Sequence, residues 1–536
     1  MSGKIPKHGW VNRKKIVIFS VILIFLVGGL ILFLPAKSSN KIIYVTSTGL
    51  GDYNCDGSND QVEINRALTY VAENPQFTTV YLRGPGTYVI SDSIFIGNDT
   101  VLEGDPTAVI KLKENASWVK EKPLITQIDS AESHDIVIKG CEIDGNHDNN
   151  SEIGNGKGYY NLIYFVYSKN IYVHDMYMHD SHGDGLKVSR SSNIKFYNNT
   201  VYKLGHDALY VTNSLNVKAW NNNITCRTNS GLRIYNTNHV KFHNNIISSN
   251  GGGGAGIEVQ KFNPPVTMDD IEICNNLLYE THAAGIWITG YGSEYPKSAA
   301  KDVYIHHNKF YKTGTNGGAA WAGGVVLNGF QSTLIENNLF DGCYGAAIAH
   351  KKVTEEFSAP GSGYTTIVKN NIIVNTQPSR TAGKGYAVFN NLSTNHSFIL
   401  KNNFLSNNTD GNYMYESSTS DFEFDPGFVE KVSKNESMKE YFPWREAISA
   451  GPQRPYRIDC IYAVENFFPN RVEIFSLHNT RNLFNESLSG QKNLLSERNY
   501  LANVLNWTTS TFSLLRHELL VAKKCLTAIF WVLKRF

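Results

Sequence analysis

One short phrase, apolar-x-apolar-x-Asn-Asn-apolar, recurs along most of this chain, and its period limits the fold more than any other feature. It reads IKFYNNTV from Ile194, VKAWNNNI from Val217 and VKFHNNII from Val240. It returns as IEICNNLL from Ile271, VYIHHNKF from Val303, TLIENNLF from Thr333, TIVKNNII from Thr366 and FILKNNFL from Phe398. Variants begin at Ile136 (IVIKGCEI) and Ile171 (IYVHDMYM). The steps from Ile171 to Val240 are 23 residues each, and the later ones are 30 to 33. Alternating apolar residues mark short, half-buried strands. A coil of this length holds three of them, too few for a propeller blade, and helix formers are too scarce for a paired-helix repeat. Asn-Gly, Gly-Gly and Ser-Asn clusters supply the corners, because Gly and Asn tolerate positive φ. The expected fold is all-β, a right-handed parallel β-helix with coils stacked about 4.8 Å apart. The Asn-Asn pairs should then stack into a hydrogen-bonded ladder. Extra residues in the later coils should leave as loops on one face.

The ends of the chain read differently. Lys4, Lys7, Arg13, Lys14 and Lys15 precede an unbroken apolar run of 19 residues, 16–34, closed by Pro35. At 1.5 Å per residue such a run spans roughly 28 Å, enough for a bilayer core. Residues 1–39 are therefore expected to form a cytoplasmic basic stub and a signal anchor, a single transmembrane helix that leaves the body outside the cell. A cleaved signal peptide and a secreted body are the alternative. Residues 40–130 read as an N-terminal cap with the first coils, and 131–430 as β-helix repeats. Residues 431–536 read as an atypical tail of unknown role, where the Asn-Asn phrase disappears. In the cap, QVEINRALTYVAEN (61–74) sets Val62, Ile64, Leu68 and Val71 at helical spacing. One amphipathic helix there would cover the open end of the solenoid.

Composition narrows the partners. A formal net charge of +2 with 41% hydrophobic residues fits a folded body and argues against nucleic acid as ligand. Seven scattered cysteines without a C-x-x-C pair argue against a zinc site and a dense disulfide scaffold, and read as small buried fillers. Sequons at Asn98, Asn391 and Asn435 fit export, while those at Asn198 and Asn223 fall inside the repeat, where burial should block modification. A solenoid of this kind is expected to be a monomer.

Two resemblances follow from quoted residues. The order Asp56-Gly57-Ser58-Asn59-Asp60, amphipathic helix, LRGPGTYVI, then TVLEGD resembles the N-terminal cap of the pectate-lyase and polygalacturonase superfamily. The central stretch, with HDSHGDGLKV, GHDALYV and CRTNSGLRIYNTNHVKFHNNII, is similar to the disaggregatases and the disaggregatase-associated β-helix domain of methanogenic archaea. Together they cover roughly residues 40–430. They imply an extracellular protein that degrades the acidic polysaccharide of cell aggregates, a matrix containing uronate and N-acetylhexosamine.

The candidate site comes from superimposing coils. HGDGLKV (182–188), GHDALYV (205–211) and TNSGLRI (228–234) align, followed by GAGIEV and HAAGIWI. Alternation turns Leu186, Leu209, Leu232, Ile257 and Ile286 inward. Their neighbours Lys187, Tyr210, Arg233, Glu258 and Trp287 then form an outward row. At the corner before it stand Asp184, Asp207 and Ser230, flanked by His182 and His206. Read functionally, Asp184 and Asp207 are a carboxylate pair about 5 Å apart, in the range of retaining glycosidases, whose pKa values should separate into an acid and a base. Lys187 and Arg233 would hold a uronate, and Tyr210 and Trp287 would stack on sugar rings. Read structurally, Asp before Gly is a turn residue, and His174 and His179 are ordinary strand residues.

Two further chemistries use the same groove. A lyase would neutralise a uronate with Arg233 or Lys187 and take the C5 proton with His206, Tyr210 or Lys187. A surface adhesion or binding protein would use the row without turnover. The polygalacturonase pattern is matched in part: Gly183-Asp184-Gly185 and His206-Asp207 stand where that family has its acids, and Arg233 resembles the arginine of its Arg-Ile-Lys motif. Asn229-Ser230-Gly231 replaces its Gly-His-Gly. Asp184, Asp207 and Glu258 offer the oxygens a calcium ion wants, but no calcium-loop signature accompanies them, so no cofactor is expected.

Overall fold

The computed structural model describes residues 41–423, apart from 120, 129–131, 151–159, 250–253, 263–267, 292–301, 317–321, 329–331, 351–364, 380–384, 391–396 and 415–417. Among the described residues no helix is long and apolar enough to cross a membrane. The expected anchor at 16–34 and the tail from 431 lie outside them. The chain divides into compact units after Arg457, and the second unit, from Ile458, lies wholly outside the described residues.

The strands lie parallel in three sheets of 14, 13 and 12 members. A single coil shows the order: Ser168–His174 in sheet 1, Tyr177–His179 in sheet 2, Leu186–Ser189 in sheet 3. The expected period is the observed register, with Ile171, Ile194, Val217 and Val240 stacked on successive coils. The repeated phrase is thus one strand of sheet 1 plus the corner after it. Its apolar positions, such as Val217 and Ala219, are buried in one continuous core.

The two asparagines of the phrase have separate duties. The first adopts the left-handed conformation, φ 55° at Asn198 and Asn221 and 56° at Asn244, and is the bend. The second is buried and stacks. Asn222 Nδ2 donates to Asn245 Oδ1 (2.8 Å), Asn245 to Asn276 (2.9 Å) and Asn276 to Asn308 (3.0 Å). The ladder continues through Asn338 and Asn371 to Asn403, whose amide meets Asp421. Each Oδ1 also receives the backbone N–H of the coil before, as Asn245 does from Asn222 (3.1 Å). Burial here is affordable because the amide's groups are matched. Only Gly, Asn and Asp enter the left-handed region at low cost. Asn221→Val should therefore lose about 1–2 kcal/mol in denaturant unfolding, and Asn221→Gly much less. Asn198 is exposed, so its sequon is not blocked by burial as expected, although its Nδ2 bonds Asp175 (3.1 Å).

The cap is the expected helix, α1 (Gln61–Glu73), but its buried face is Ile64, Ala67, Leu68 and Val71, and Val62 points outward. Asp60, fully buried, fixes its start: its carboxylate accepts the N–H of Gly57 (2.9 Å) and of Val89 (2.7 Å). The described cysteines, Cys55, Cys141, Cys226, Cys274 and Cys343, are free and buried, as fillers should be. From Ile257–Phe262 onward the lengthened connections run between strands of sheet 3 and the next strand of sheet 1, and also between sheets 2 and 3. They flank sheet 3.

Candidate functional site: a buried charge cluster on sheet 3

Sheet 3 carries the anticipated row. Lys187, Tyr210, Arg233, Glu258 and Trp287 are register partners in that order, and Tyr164 precedes them. Past Trp287 the outward row turns apolar, with Val326, Ala349 and Phe389 buried in a cluster of their own. The polar face thus ends at Trp287. Lys187 Nζ sits between two tyrosines, 5.4 Å from the Tyr164 ring centre and 5.7 Å from that of Tyr210.

The corner aspartates are not the open carboxylate pair of the sequence reading. Asp184 is 3% exposed and Asp207 is fully buried. They belong to a second ladder: Asn161 Oδ1 accepts the Asp184 N–H (2.9 Å), Asp184 Oδ1 that of Asp207 (3.0 Å), and Asp207 Oδ1 that of Ser230 (2.9 Å). The structural reading of these residues as corner ties is correct as far as it goes. Yet an amide serves that purpose at Asn161, so the ladder alone does not require charge at 184 and 207.

The charge is used by two cations. His206 Nδ1 lies 2.7 Å from Asp184 Oδ1 and 3.1 Å from Asp207 Oδ2. Arg233 reaches Asp207 Oδ2 (3.4 Å) and Glu258 Oε2 (3.7 Å), and its Nε and a terminal nitrogen both donate to Gln260 Oε1. Ser230 Oγ donates to Glu258 Oε2 (2.7 Å), and Gln260 also bonds Glu258. Arg233 is therefore committed to protein partners and is not the uronate grip expected of it. His182 does not join this cluster. Its Nε2 donates to the Asn150 carbonyl (2.7 Å), and its ring packs on His147 (3.9 Å between centroids) and Tyr160.

Titration behaviour follows. Burial works against charge on His206, but Asp207 and Asp184 outweigh it and push its pKa up to about 11. The ring is an imidazolium at neutral pH, so it is not the base the lyase reading wanted. Its Nε2 faces the Asn229 side chain at 2.9 Å, where a protonated ring requires the amide oxygen. Tyr210 is no better, since burial pushes its phenol up to about 12. Burial also raises Asp207, but His206 and Arg233 prevail and hold it below the usual range. Glu258 moves the other way: burial dominates and raises it despite Arg233.

A histidine raised from about 6.5 to about 11 contributes stability that is complete below pH ~6.5 and lost as pH climbs through 11. Asp207, depressed, contributes above about pH 4 and loses its share in acid. The melting temperature should accordingly fall between about pH 7 and 11, more steeply in the wild type than in His206→Gln. Equal slopes would show that His206 is not held charged.

The donor set does not suit a calcium ion. The oxygens that would bind it already face N–H groups and two protein cations. Two surface grooves lie elsewhere. One, of about 720 Å³, is walled by Tyr167, Lys169, Arg190 and Asn213, and another, of about 630 Å³, by Lys195, Lys218 and Lys241. Residues that sequence reasoning missed include Asn161 and Tyr164, each one 23-residue step before a residue it named, and Gln260, two positions beyond Glu258 on the same outward face. His179 was also undervalued: it bonds Asp180 (2.7 Å) and Glu142 (3.2 Å), and although burial opposes its charge, these partners raise its pKa to about 9.

Comparison with known proteins agrees with this architecture. Residues 38–298 match the family model for a right handed beta helix region. The three parallel sheets are that right-handed β-helix fold. Residues 268–452 match the family described as disaggregatase related. The Asp184–Glu258 cluster lies outside that match and falls in the general β-helix match alone. No curated protein matches. Among solved structures, the A-module of the Azotobacter vinelandii mannuronan C-5 epimerase AlgE6 is 18% identical, with 69% of this chain and 96% of that one covered and a TM-score of 0.50. A family 28 exopolygalacturonase of Yersinia enterocolitica is 14% identical, covering 72% of this chain and 80% of its own (TM-score 0.46). PfbA, a surface adhesin of Streptococcus pneumoniae, is 13% identical over 70% of this chain and 96% of its own (TM-score 0.42). At these identities the likeness is one of fold.

Proposed function

We propose that this protein acts outside the cell on an acidic matrix polysaccharide, in the manner of a disaggregatase, and hydrolyses a glycan laid along sheet 3. One observation carries the reading: Asp207 and Glu258 stand on either side of Arg233 with their pKa values pushed in opposite directions. Such a split assigns Glu258 the proton-donor role and Asp207 that of the ionised partner. Asp184 then holds His206, and His206 holds Asp207 in its ionised form. Lys187, between Tyr164 and Tyr210, is the cation left to receive a uronate carboxylate, and the tyrosines guide the sugar beside it.

The test is oligosaccharide release from an aggregated-cell matrix rich in uronate, measured by mass analysis. Glu258→Gln and Asp207→Asn should each lower the rate at least about a hundredfold, the loss expected of a general acid or its partner. Asp207→Asn keeps the ladder oxygen and so separates charge from fold. Full activity in both variants would remove this mechanism. Unsaturated products would assign elimination instead. A binding protein without turnover is the second reading, favoured by the complete burial of Asp207. Saturable binding with no product after long incubation would establish it.

A further inference from the structure

Sheet 1 carries a second row, on a different face of the coil from the cluster just described. Lys195, Lys218 and Lys241 are register partners on successive coils. Their spacing is therefore that of the strands, about 4.8 Å. Like charges directly opposite each other across a parallel ladder destabilise it. Elsewhere the same sheet sets opposite charges together, as with Glu103 and Lys139 (3.0 Å) or Glu336 and Lys369 (2.7 Å). Here only Lys241 has a carboxylate, Glu272 at 2.8 Å. Lys195 lies over the Tyr172 ring (4.2 Å) and Lys218 is exposed, and neither forms an ion pair with a described residue.

The row lies in the groove of about 630 Å³ on this face, which Asn193 and Asn216 also line. These two amides, Asn216 exposed and Asn193 half-buried, are stacked at 3.0 Å. Beside the groove runs a stiff wall. His174, Tyr197, Trp220 and His243 stack ring on ring, with centroids 4.4, 4.2 and 5.9 Å apart and planes within 10°. Each ring covers the next, so the wall offers edges and no open face. At one end Asp270 and Glu272 close the groove with negative charge.

We propose that this groove is a second, non-catalytic site for an acidic glycan, which lies along the solenoid axis with one carboxylate per coil. Lys195 and Lys218, the two cations of the row without a described carboxylate, stand in line at strand spacing and match a chain that carries one charge per pyranose unit, since an extended unit is close to that length. The amides meet sugar hydroxyls. The occupant relieves the repulsion that the row imposes on the empty protein. Nothing in this site depends on the reading of sheet 3.

Calorimetric titration of the full chain with short oligomannuronates tests it, with cello-oligosaccharides and oligothymidylate as controls. Two classes of site are expected. Lys195→Gln/Lys218→Gln should weaken one by about tenfold or more, as loss of two exposed ionic contacts allows. Its melting temperature should be unchanged or higher, because repulsion is removed. Lys187→Gln should weaken the other class only, so failure of the sheet 3 reading leaves a distinct trace. Unchanged binding in Lys195→Gln/Lys218→Gln, equal affinity for the neutral oligosaccharide, or tighter binding of oligothymidylate would each overturn the proposal.

Discussion

Asp207→Ala should destabilise the solenoid by about 3–5 kcal/mol, the cost of removing one member of a buried ionic cluster. Three losses coincide. The Ser230 N–H loses its acceptor, His206 keeps a single carboxylate, and Arg233 keeps the more distant Glu258 as its carboxylate beside neutral Gln260. Asp207→Asn should cost far less, because Oδ1 can still accept from Ser230 and Asp184 still faces His206. Denaturant unfolding of the two variants separates the ladder duty of Asp207 from its electrostatic duty. Similar losses in both would mean that charge, and not the corner bond, fixes this coil.

Asn276→Ala should cost about 3 kcal/mol, since several buried groups lose partners at about 1–3 kcal/mol each. Asn276 Oδ1 accepts both the backbone N–H of Asn245 (3.0 Å) and its Nδ2 (2.9 Å). Its own Nδ2 donates to the Phe242 carbonyl (2.9 Å) and to Asn308 (3.0 Å). The methyl group of alanine satisfies none of these. Asn276→Asp offers an acceptor again but turns a carboxylate oxygen onto the Phe242 carbonyl and Asn308 Oδ1, so it should cost at least as much as alanine. In a solenoid the damage stays with neighbouring coils. Hydrogen exchange should therefore rise around residues 245–308 while α1 keeps its protection.

Much of the fold is legible because one period governs it. The Asn-Asn phrase marks strand, bend and ladder together, so the register of sheet 1 follows from counting. The same counting places Lys187, Tyr210, Arg233, Glu258 and Trp287 in one outward row. It stops short at Asn161 and Tyr164, because their coil lacks the phrase that makes counting possible. Alternation tells which face a residue is on but not how deep it lies. Glu258 faces outward and is still only 3% exposed, because Ser230, Arg233 and Gln260 pack and bond around it. The corners are harder still: His182 and His206 each flank a corner aspartate in sequence, yet one turns to Asn150 and the other to Asp184. An aspartate at such a corner can tie the backbone, hold a cation or do both, and only neighbouring coils decide. At Asp207 it does both.

The central claim is that an acidic glycan lies along sheet 3, and a structure of full-length Glu258→Gln soaked with a short oligouronate tests it most directly. The account predicts sugar density running along the solenoid axis over Lys187 and Tyr210, with a uronate carboxylate in hydrogen-bond contact with Lys187 Nζ. It also predicts a glycosidic oxygen beside residue 258. Oligosaccharide bound elsewhere, with the row from Tyr164 to Trp287 bare, would contradict it.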